Sequence, residues 1–375
     1  MRALGATLGL LLAGCLEVPP KSLGNGEDPD ADVGGTTGYR RQITIAGASV
    51  AAPLDAFPVL VRLPGDEALK SHAAEDGLDI VFRDAGGVLV PFEREEWDPA
   101  TGELRAWVNP GAIAAGPDTV FFLHYGERGE SDLSDPAAVW KDEFAMVWHL
   151  NEDPDEAIDS SGGGHAAVDA TGSAELGEGY LGEAVVLDGG GDHIDFGSDL
   201  PAEVDAGQYL TVTAWVRYDA LGMWSHFISK ASTLSNRQGW ALGIDSEYDF
   251  TVRAMDGAPT QRGWSAEAQP EPGAWHHFAM VYDGAQATSS ERLRGFRDGV
   301  EYELSYEASI PGRFDARGGP LYIGCATWNS SYCIDGAVDE VHVSIAPRPP
   351  EWIAAEYANQ VDGSTFLTVG EEESL

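Results

Sequence analysis

Positive charge is scarce in this sequence. Its 375 residues carry 22 Lys+Arg against 62 Asp+Glu, a formal net charge of −40 at pH 7, and only 4 of the cations are lysine. Binding nucleic acid requires clustered Lys and Arg that displace phosphate counterions, so that class of function is excluded. The same scarcity leaves no polylysine patch for an anionic lipid surface. Cysteine is also rare, at 3 residues. Long apolar runs are missing: the stretch from Ala3 to Ala13 falls well short of the ~20 residues that a bilayer span needs. A Gly-x-Ser-x-Gly nucleophile elbow and a His-Glu-x-x-His zinc motif are both absent. What the chain does have is 43% hydrophobic residues, 11 Trp, 46 Gly and 21 Pro. The first two numbers supply packed cores and exclude global disorder. The last two supply frequent turns, which favours an all-β architecture.

The N-terminus reads as a targeting segment: Arg2, the apolar stretch, then Leu12-Ala13-Gly14-Cys15. Small residues before Cys15 resemble the bacterial lipobox, in which the cysteine is lipidated and becomes the mature N-terminus. The alternative is an ordinary signal peptide with an incidental cysteine. Under the lipobox reading the membrane is contacted through the N-terminal lipid only. Leu16 in place of Asp then implies, by the same resemblance, sorting to an outer membrane, so the protein is expected at the cell envelope. Cys325 and Cys333 are left over as a pair in an oxidising compartment. They flank the polar loop Thr327–Tyr332 and lack the C-x-x-C spacing of a metal or redox pair. A disulfide there would stabilise by about 2.5 kcal/mol in the chain-entropy model. Residues 16–38, with Pro19-Pro20, an acidic run and Gly34-Gly35, show no apolar periodicity and read as a flexible tether.

From Tyr39 short β-branched and aromatic runs begin, bounded by Gly, Pro or Asp: 42–45, 57–63, 78–82, 88–92, 104–108 and 119–125. One helical stretch, Asp66 to Ala74, interrupts them. Six strands over 39–127 make a small β-sandwich. Tyr39-Arg40-Arg41-x-Ile43-x-Ile45, Phe57-Pro58-Val59-Leu60-Val61, Asp79-Ile80-x-Phe82-x-Asp84, Pro91-x-Glu93-x-Glu95-x-Trp97 and Tyr125-Gly126 resemble a bacterial domain family of unassigned function. That family precedes laminin-G-like domains and is sometimes fused to biopolymer-transport proton-channel proteins. Without an apolar run of bilayer length after the signal, no channel function follows.

Residues 128–138 read as a linker to a larger block over 139–370. Along it come Val147-Trp148-His149-Leu150, Asp159-Ser160-Ser161-Gly162, Ala184–Gly189, Leu210–Val216, Trp275–Gly284, Asp298-Gly299, Leu321–Gly324 and Ile334–Val341. In this order they resemble the laminin-G-like, concanavalin-A-like lectin/glucanase superfamily, which implies a jelly roll of two antiparallel sheets. Independently of that resemblance, Thr211, Thr213 and Trp215 alternate with Val212, Ala214 and Val216, as a strand requires. Pro349-Pro350 open a short helix running to Gln360, and Phe366–Val369 form a last strand.

Glycoside hydrolysis needs two carboxylates about 5–9.5 Å apart across the scissile bond. The Glu-x-Asp-x-Glu strand of laminarinases does not occur in 139–370, and Glu152-Asp153-x-Asp155-Glu156 is interrupted by Pro154. Glu93, Glu95 and Trp97 alternate on a strand of the first block, and we read them as one exposed face with Arg94 opposite. Adjacent on a strand, His276 and His277 point to opposite faces, one to core and one to solvent. Trp215 and Trp275 are expected in the core. Sugar C–H faces stack on exposed aromatic rings, which singles out the loop aromatics Trp224, Trp264, Trp328 and Tyr332. The disulfide would hold the Trp328/Tyr332 loop rigid, and Asn329, Arg237 and Arg262 could supply hydrogen bonds. The alternative is that Trp328 and Tyr332 fold back over the sandwich end. The jelly-roll resemblance also implies a structural calcium, whose matching positions are Glu152 and Asp339.

These readings converge on a non-catalytic, lipid-anchored envelope protein with a binding or adhesion role. The expected ligand is a glycan bound by the jelly roll, neutral or cationic given the charge. Two other readings stay open at this level: a structural module that docks an envelope protein, and a polysaccharide hydrolase.

Overall fold

The computed structural model describes residues 38–127, 131–141, 143–231, 238–257 and 261–375. Cys15, the tether up to residue 37 and Arg237 lie outside the described residues. The chain is all-β, with strands throughout and five short helices among the described residues, α1 (Glu67–His72), α2 (Pro136–Val139), α3 (Ala202–Asp205), α4 (Ser289–Arg292) and α5 (Pro350–Gln360).

The first block contains β1 (Tyr39–Ile45), β2 (Val59–Leu63), β3 (Val81–Asp84), β4 (Phe92–Asp98), β5 (Glu103–Val108) and β6 (Thr119–Tyr125). The expected helix is α1 (Glu67–His72), capped by Asp66, whose carboxylate accepts from the Ala68 and Leu69 amides. β2, β5 and β4 form a three-stranded sheet. The facing sheet is completed from the far end of the chain. β25 (Leu367–Ser374) pairs with β1 from Tyr39 opposite Ser374 to Ile45 opposite Leu367, giving the order β25-β1-β6-β3. The last strand, read from sequence as part of the second block, therefore belongs to the first. It covers an edge of β1 that would otherwise present unpaired amides and carbonyls, and Phe366 before it is buried near Phe57.

The second block is a two-sheet jelly roll. One sheet contains β7 (Phe144–Trp148), β9 (Glu175–Glu178), β10 (Glu183–Asp188), β12 (Tyr209–Ala220), β17 (Trp275–Asp283), β18 (Leu293–Arg297), β19 (Val300–Tyr302) and β24 (Asp335–Ser344). The other contains β8 (Asp169–Thr171), β11 (His193–Asp195), β13 (His226–Ala231), β14 (Gly239–Ile244), β15 (Phe250–Met255), β16 (Arg262–Ser265), β20 (Ser305–Tyr306), β21 (Leu321–Ile323), β22 (Cys325–Ala326) and β23 (Asn329–Cys333). Leu210, Val212, Ala214 and Val216 of β12 enter the core between them, together with Leu242, Val252 and Phe278. Asp298 and Gly299 both take positive φ in the tight turn from β18 to β19, the conformation a two-residue hairpin favours. Cys325 and Cys333 form the expected disulfide.

The second row of β12 does not face water. Thr211 Oγ1 donates to Ala346 O, Thr213 Oγ1 to Glu356 Oε1 and Trp215 Nε1 to Gln360 Oε1. Glu356 and Gln360 lie on α5 (Pro350–Gln360), which packs on the outer face of this sheet. The same helix reaches the first block, where Asn359 brackets Leu60 with hydrogen bonds to its amide and carbonyl of 2.7 and 3.1 Å. Ile353, Ala279, Val281 and Phe296 join one hydrophobic cluster with Val59, Phe82 and Phe92. The two blocks thus share a core, and residues 37–375 form one compact unit.

Candidate functional site

The four aromatics expected in loops meet on the outer face of the β13–β16 sheet, where Trp264 lies within β16 and Tyr332 within β23 and not in loops. The register places Arg253 opposite Arg262 and Thr251 opposite Trp264, so these side chains share a face. Trp224 arrives from the turn before β13, held at φ +65° with its amide donating to Asp245 O. The Arg253 guanidinium lies 5.9 Å from the Trp328 ring centre and 5.3 Å from that of Trp224. Arg262 lies 4.9 Å from Trp224 and 4.7 Å from Trp264. The result is a ladder, Trp328–Arg253–Trp224–Arg262–Trp264, with Tyr332 tilted 6.3 Å from Trp224. Each cation–π contact adds about 0.5–1 kcal/mol.

Fixed partners hold the ladder. Arg262 donates to Asp245 at 2.6 Å and to Glu307 at 3.0 Å. Arg253 Nε donates to His226 Nε2 at 3.3 Å, while Nδ1 of the same ring faces Trp224 O.

This arrangement corrects part of the sequence reading. Trp328 is only 4% exposed, packed with Ala231, Ala241 and Met255, so it is a buried wedge and not a stacking platform. The reason is that its loop folds onto the small residues of β14. Tyr332, Trp224 and Trp264 remain half-buried. Asn329 accepts from the Ser331 amide and so shapes its own turn. Arg262, expected as a free hydrogen-bond donor, is engaged by two carboxylates. Trp215 is buried as expected, but Trp275 is half-buried beneath Arg217.

A second constellation lies where the blocks meet. A bulge at Glu95 separates the two rows of β4, because Arg94 pairs with Ala106 and Glu96 with Arg105. Trp97 therefore packs toward the first block's core, whereas Glu93 and Glu95 turn toward the jelly roll. The exposed carboxylate face read from sequence is in fact buried. Glu93 Oε2 accepts from Trp140 Nε1 at 2.5 Å and lies 3.2 Å from His149 Nε2, and its Oε1 accepts from Ser160 at 2.6 Å. Ser160 is placed by Asp159, whose carboxylate accepts from the Val147, Ser161 and His165 amides. Glu95 accepts from Trp107, Arg105 and Asn151.

Deeper in, His149 Nδ1 and His342 Nε2 meet the same atom, Glu340 Oε2, at 2.9 and 3.2 Å. His342 Nδ1 faces Glu356 Oε1 at 3.0 Å. Glu340 occupies an extra residue in β24 opposite β12 and is held at φ +49°, a conformation that non-glycine residues adopt only under local constraint. Burial alone would depress both imidazoles. The carboxylates of Glu340 and Glu93 instead raise His149 well above its usual pKa, and Glu340 and Glu356 raise His342. Burial pushes Glu95 up to about 7, with the Glu340 charge adding to it. Against its own burial, Glu340 is drawn down to about 2 by His149 and His342.

The proposed calcium positions behave differently. Asp339 Oδ2 accepts from the Tyr180 and Leu181 amides, and burial next to Glu340 raises its carboxyl well above the usual range. Glu152 lines an open cleft of about 450 Å³ with Glu93, Glu95, His149 and Ser160. Among the described residues, the side chains whose donor atoms converge are His149, Glu340 and His342, and neither Asp339 nor Glu152 belongs to that group. His276 and His277 are both buried, not one of the two, because Asp298 and Glu271 cover the first and Glu356 faces the second.

Residues 188–354 match the concanavalin A-like lectin/glucanases superfamily. The matched segment runs from the end of β10 into α5 and contains the whole aromatic ladder of this concanavalin A-like jelly roll. Among solved structures, domain 4 of AbnA, a GH43 extracellular arabinanase from Geobacillus stearothermophilus in complex with arabinotriose, aligns at 18% identity. It covers 57% of this chain and 98% of that one with a TM-score of 0.42. The SAP-like pentraxin of Limulus polyphemus aligns at 13% identity over 44% of this chain and 84% of that one, TM-score 0.34. The botulinum neurotoxin serotype G binding domain aligns at 10% identity over 56% and 50%, TM-score 0.42. No residue role follows from likenesses of this size. No curated protein sequence matches the chain.

The concanavalin A-like sequence pattern missed Arg253, His226, His342 and Glu356 as site members. A usable cue was present for the histidines: each of His149 and His342 interrupts an otherwise apolar run, in Val147-Trp148-His149-Leu150 and Val341-His342-Val343.

Proposed function

We propose that this chain is a non-catalytic binding protein of the cell envelope whose jelly roll takes a glycan on the aromatic–arginine face. The observation that carries the reading is the convergence of Trp224, Trp264 and Tyr332, half-exposed, on one clamped surface. Rings already fixed by Arg253 and Arg262 lose little freedom when a sugar stacks on them, which lowers the ordering cost of binding. Among the described residues, neither the Trp224 nor the Trp264 indole N–H has a protein acceptor. Both therefore offer donors to a hydroxyl-rich ligand.

The junction cleft supports the non-catalytic part. Both oxygens of Glu93 and both of Glu95 are occupied by protein donors. A glycosidase needs an acid and a base or nucleophile that both reach its substrate, and the Glu93 and Glu95 side chains are buried. Glu152 alone, with one unpartnered oxygen, does not supply the pair. The envelope location rests on the lipobox-like sequence ending in Cys15 and on the Cys325–Cys333 disulfide, which suits an oxidising compartment.

The test is a glycan array probed with the full chain, wild type against Trp264→Ala and Trp224→Ala. Wild-type binding to neutral glycans, weakened at least about tenfold in both variants, is the expected result, since tenfold needs only ~1.4 kcal/mol of lost stacking. Absence of wild-type binding would overturn the proposal, and binding unaffected by both variants would remove the site from this face.

A further inference from the structure

The His149–Glu340–His342 cluster is not used by the glycan reading, and four observations on it point the same way. The three donor atoms lie within 4.8 Å of one another, and both imidazole nitrogens aim at a single carboxylate oxygen. The outward nitrogen of each ring meets a separate carboxylate, Glu93 for His149 and Glu356 for His342. Those carboxylates are anchored in turn by Trp140 and Ser160 on one side and Thr213 on the other. Carboxylate–histidine pairs of this kind fix the tautomer of metal-ligating histidines, with the lone pair facing inward. Glu340 Oε1 has no hydrogen-bond partner although the residue is 1% exposed, and its backbone is held at positive φ. Oε1 is the second oxygen of the carboxylate whose Oε2 both rings meet, and leaving it unpartnered at that depth is costly unless an ion held by Glu340 engages both oxygens.

We propose that His149, His342 and Glu340 form a binding site for a divalent transition metal of the zinc class. Two imidazoles and a carboxylate are the donor set that such ions prefer, whereas calcium takes six to eight oxygens. The spacing is suitable: ligands ~2.0–2.1 Å from a tetrahedral ion are about 3.3 Å apart, close to the 2.9 and 3.2 Å seen from Glu340 to the two rings. Trp107 and Trp140 pack against both imidazoles at ring separations of 4.8–5.9 Å and keep the site dry. Glu340 and His342 lie on β24, His149 follows β7, and their carboxylate supports come from β4 and α5. A bound ion would therefore tie the jelly roll to the first block. The proposal does not depend on what the aromatic face binds.

Full-length protein stripped with EDTA and titrated with Zn²⁺ in a calorimeter tests it. One equivalent should bind, raising the melting temperature. Co²⁺ in its place should give the visible absorption of a four-coordinate nitrogen–oxygen site. His342→Gln should abolish binding. Glu356→Gln, a change to a positioning residue that keeps its shape, should weaken binding about 10–100-fold. Circular dichroism identifies any variant that fails to fold, and His193→Gln, remote from the cluster, should bind as wild type does. No Zn²⁺ or Co²⁺ binding by wild type would overturn the proposal. So would full binding by folded His342→Gln, or a melting-temperature response to Ca²⁺ and not to Zn²⁺, which would return the ion to Asp339 and Glu152.

Discussion

Replacing Glu93 separates the buried junction from the exposed strand face that its alternation suggests. On an exposed face, Glu93→Ala would change stability by no more than about 0.5 kcal/mol. In the structure the carboxylate accepts from Trp140 and Ser160 at 2.5 and 2.6 Å and faces His149 at 3.2 Å. Hydrogen bonds to a charged acceptor contribute about 1.5–3 kcal/mol each but do not add within one network. Removing one member of a buried charged pair costs about 3–5 kcal/mol, because its partner stays behind uncompensated. Glu93→Ala should therefore destabilise by about 3–5 kcal/mol. At roughly 2 °C per kcal/mol for a unit of this size, that is a fall of about 6–10 °C in melting temperature. Glu93→Gln keeps an acceptor oxygen and should lose only about 1–2 kcal/mol. Urea and thermal unfolding in EDTA, followed by far-UV ellipticity and tryptophan emission, reads both variants without a contribution from metal. Trp107 and Trp140, two of the 11 tryptophans, lie at the junction and contribute to that emission. A loss below 1 kcal/mol for Glu93→Ala would refute the burial argument, and with it the shared core.

Two further perturbations have defined outcomes. Burial alone would raise Asp298, but the hydrogen bond to His276 at 2.8 Å and the His277 amide hold it below the usual carboxylate range. Because the folded value is the lower one, its stabilisation is complete above the unfolded pKa of ~3.9 and is lost as pH falls through the folded value. Asp298→Asn should thus cost about 1–2 kcal/mol at pH 7 by urea titration and nothing near pH 2; a constant difference across that range would contradict the pairing. Breaking the disulfide by Cys325→Ser with Cys333→Ser should lower stability by about 2.5 kcal/mol. It should also open Trp328 to acrylamide quenching, and an unchanged quenching constant would show that the wedge is held without the disulfide.

Much of the fold was legible because it follows from local rules. The alternation in β12, the helical stretch from Asp66 to Ala74 and the pairing of the two later cysteines each depend on residues within a few positions of one another. The sites depended on long-range packing. Trp215 is expected in the core, but no local pattern announces that α5 is the element that covers it and Thr213. Trp328 sits in a polar loop, yet the small residues Ala231 and Ala241, far away in sequence, make the cavity that takes it. Strict alternation of Val338-Asp339-Glu340-Val341 points Asp339 and Glu340 to opposite faces, and one extra residue in β24 breaks that rule.

The scarcity of positive charge takes on a different meaning once the structure is known. Several of the 22 basic residues face inward: Arg105 binds Glu95 and Glu103, Lys230 binds Asp205, and Arg348 covers Trp352. Glu93, Asp339, Glu340 and Glu356 are likewise buried, so part of the acid forms an interior network and not a solvated coat. Arg253 and Arg262 are placed on the aromatic face, but Asp245 and Glu307 neutralise Arg262. The pair Arg253 and Arg262 thus balances the pair Asp245 and Glu307 in formal charge, within a molecule of −40. A face of that kind suits a ligand recognised by stacking and hydroxyl hydrogen bonds. An anionic polymer would have to approach through the field of the surrounding carboxylates, which extends about 10 Å at moderate salt. The proposed preference for a neutral glycan thus rests on the local balance at Arg253 and Arg262 as well as on the total charge.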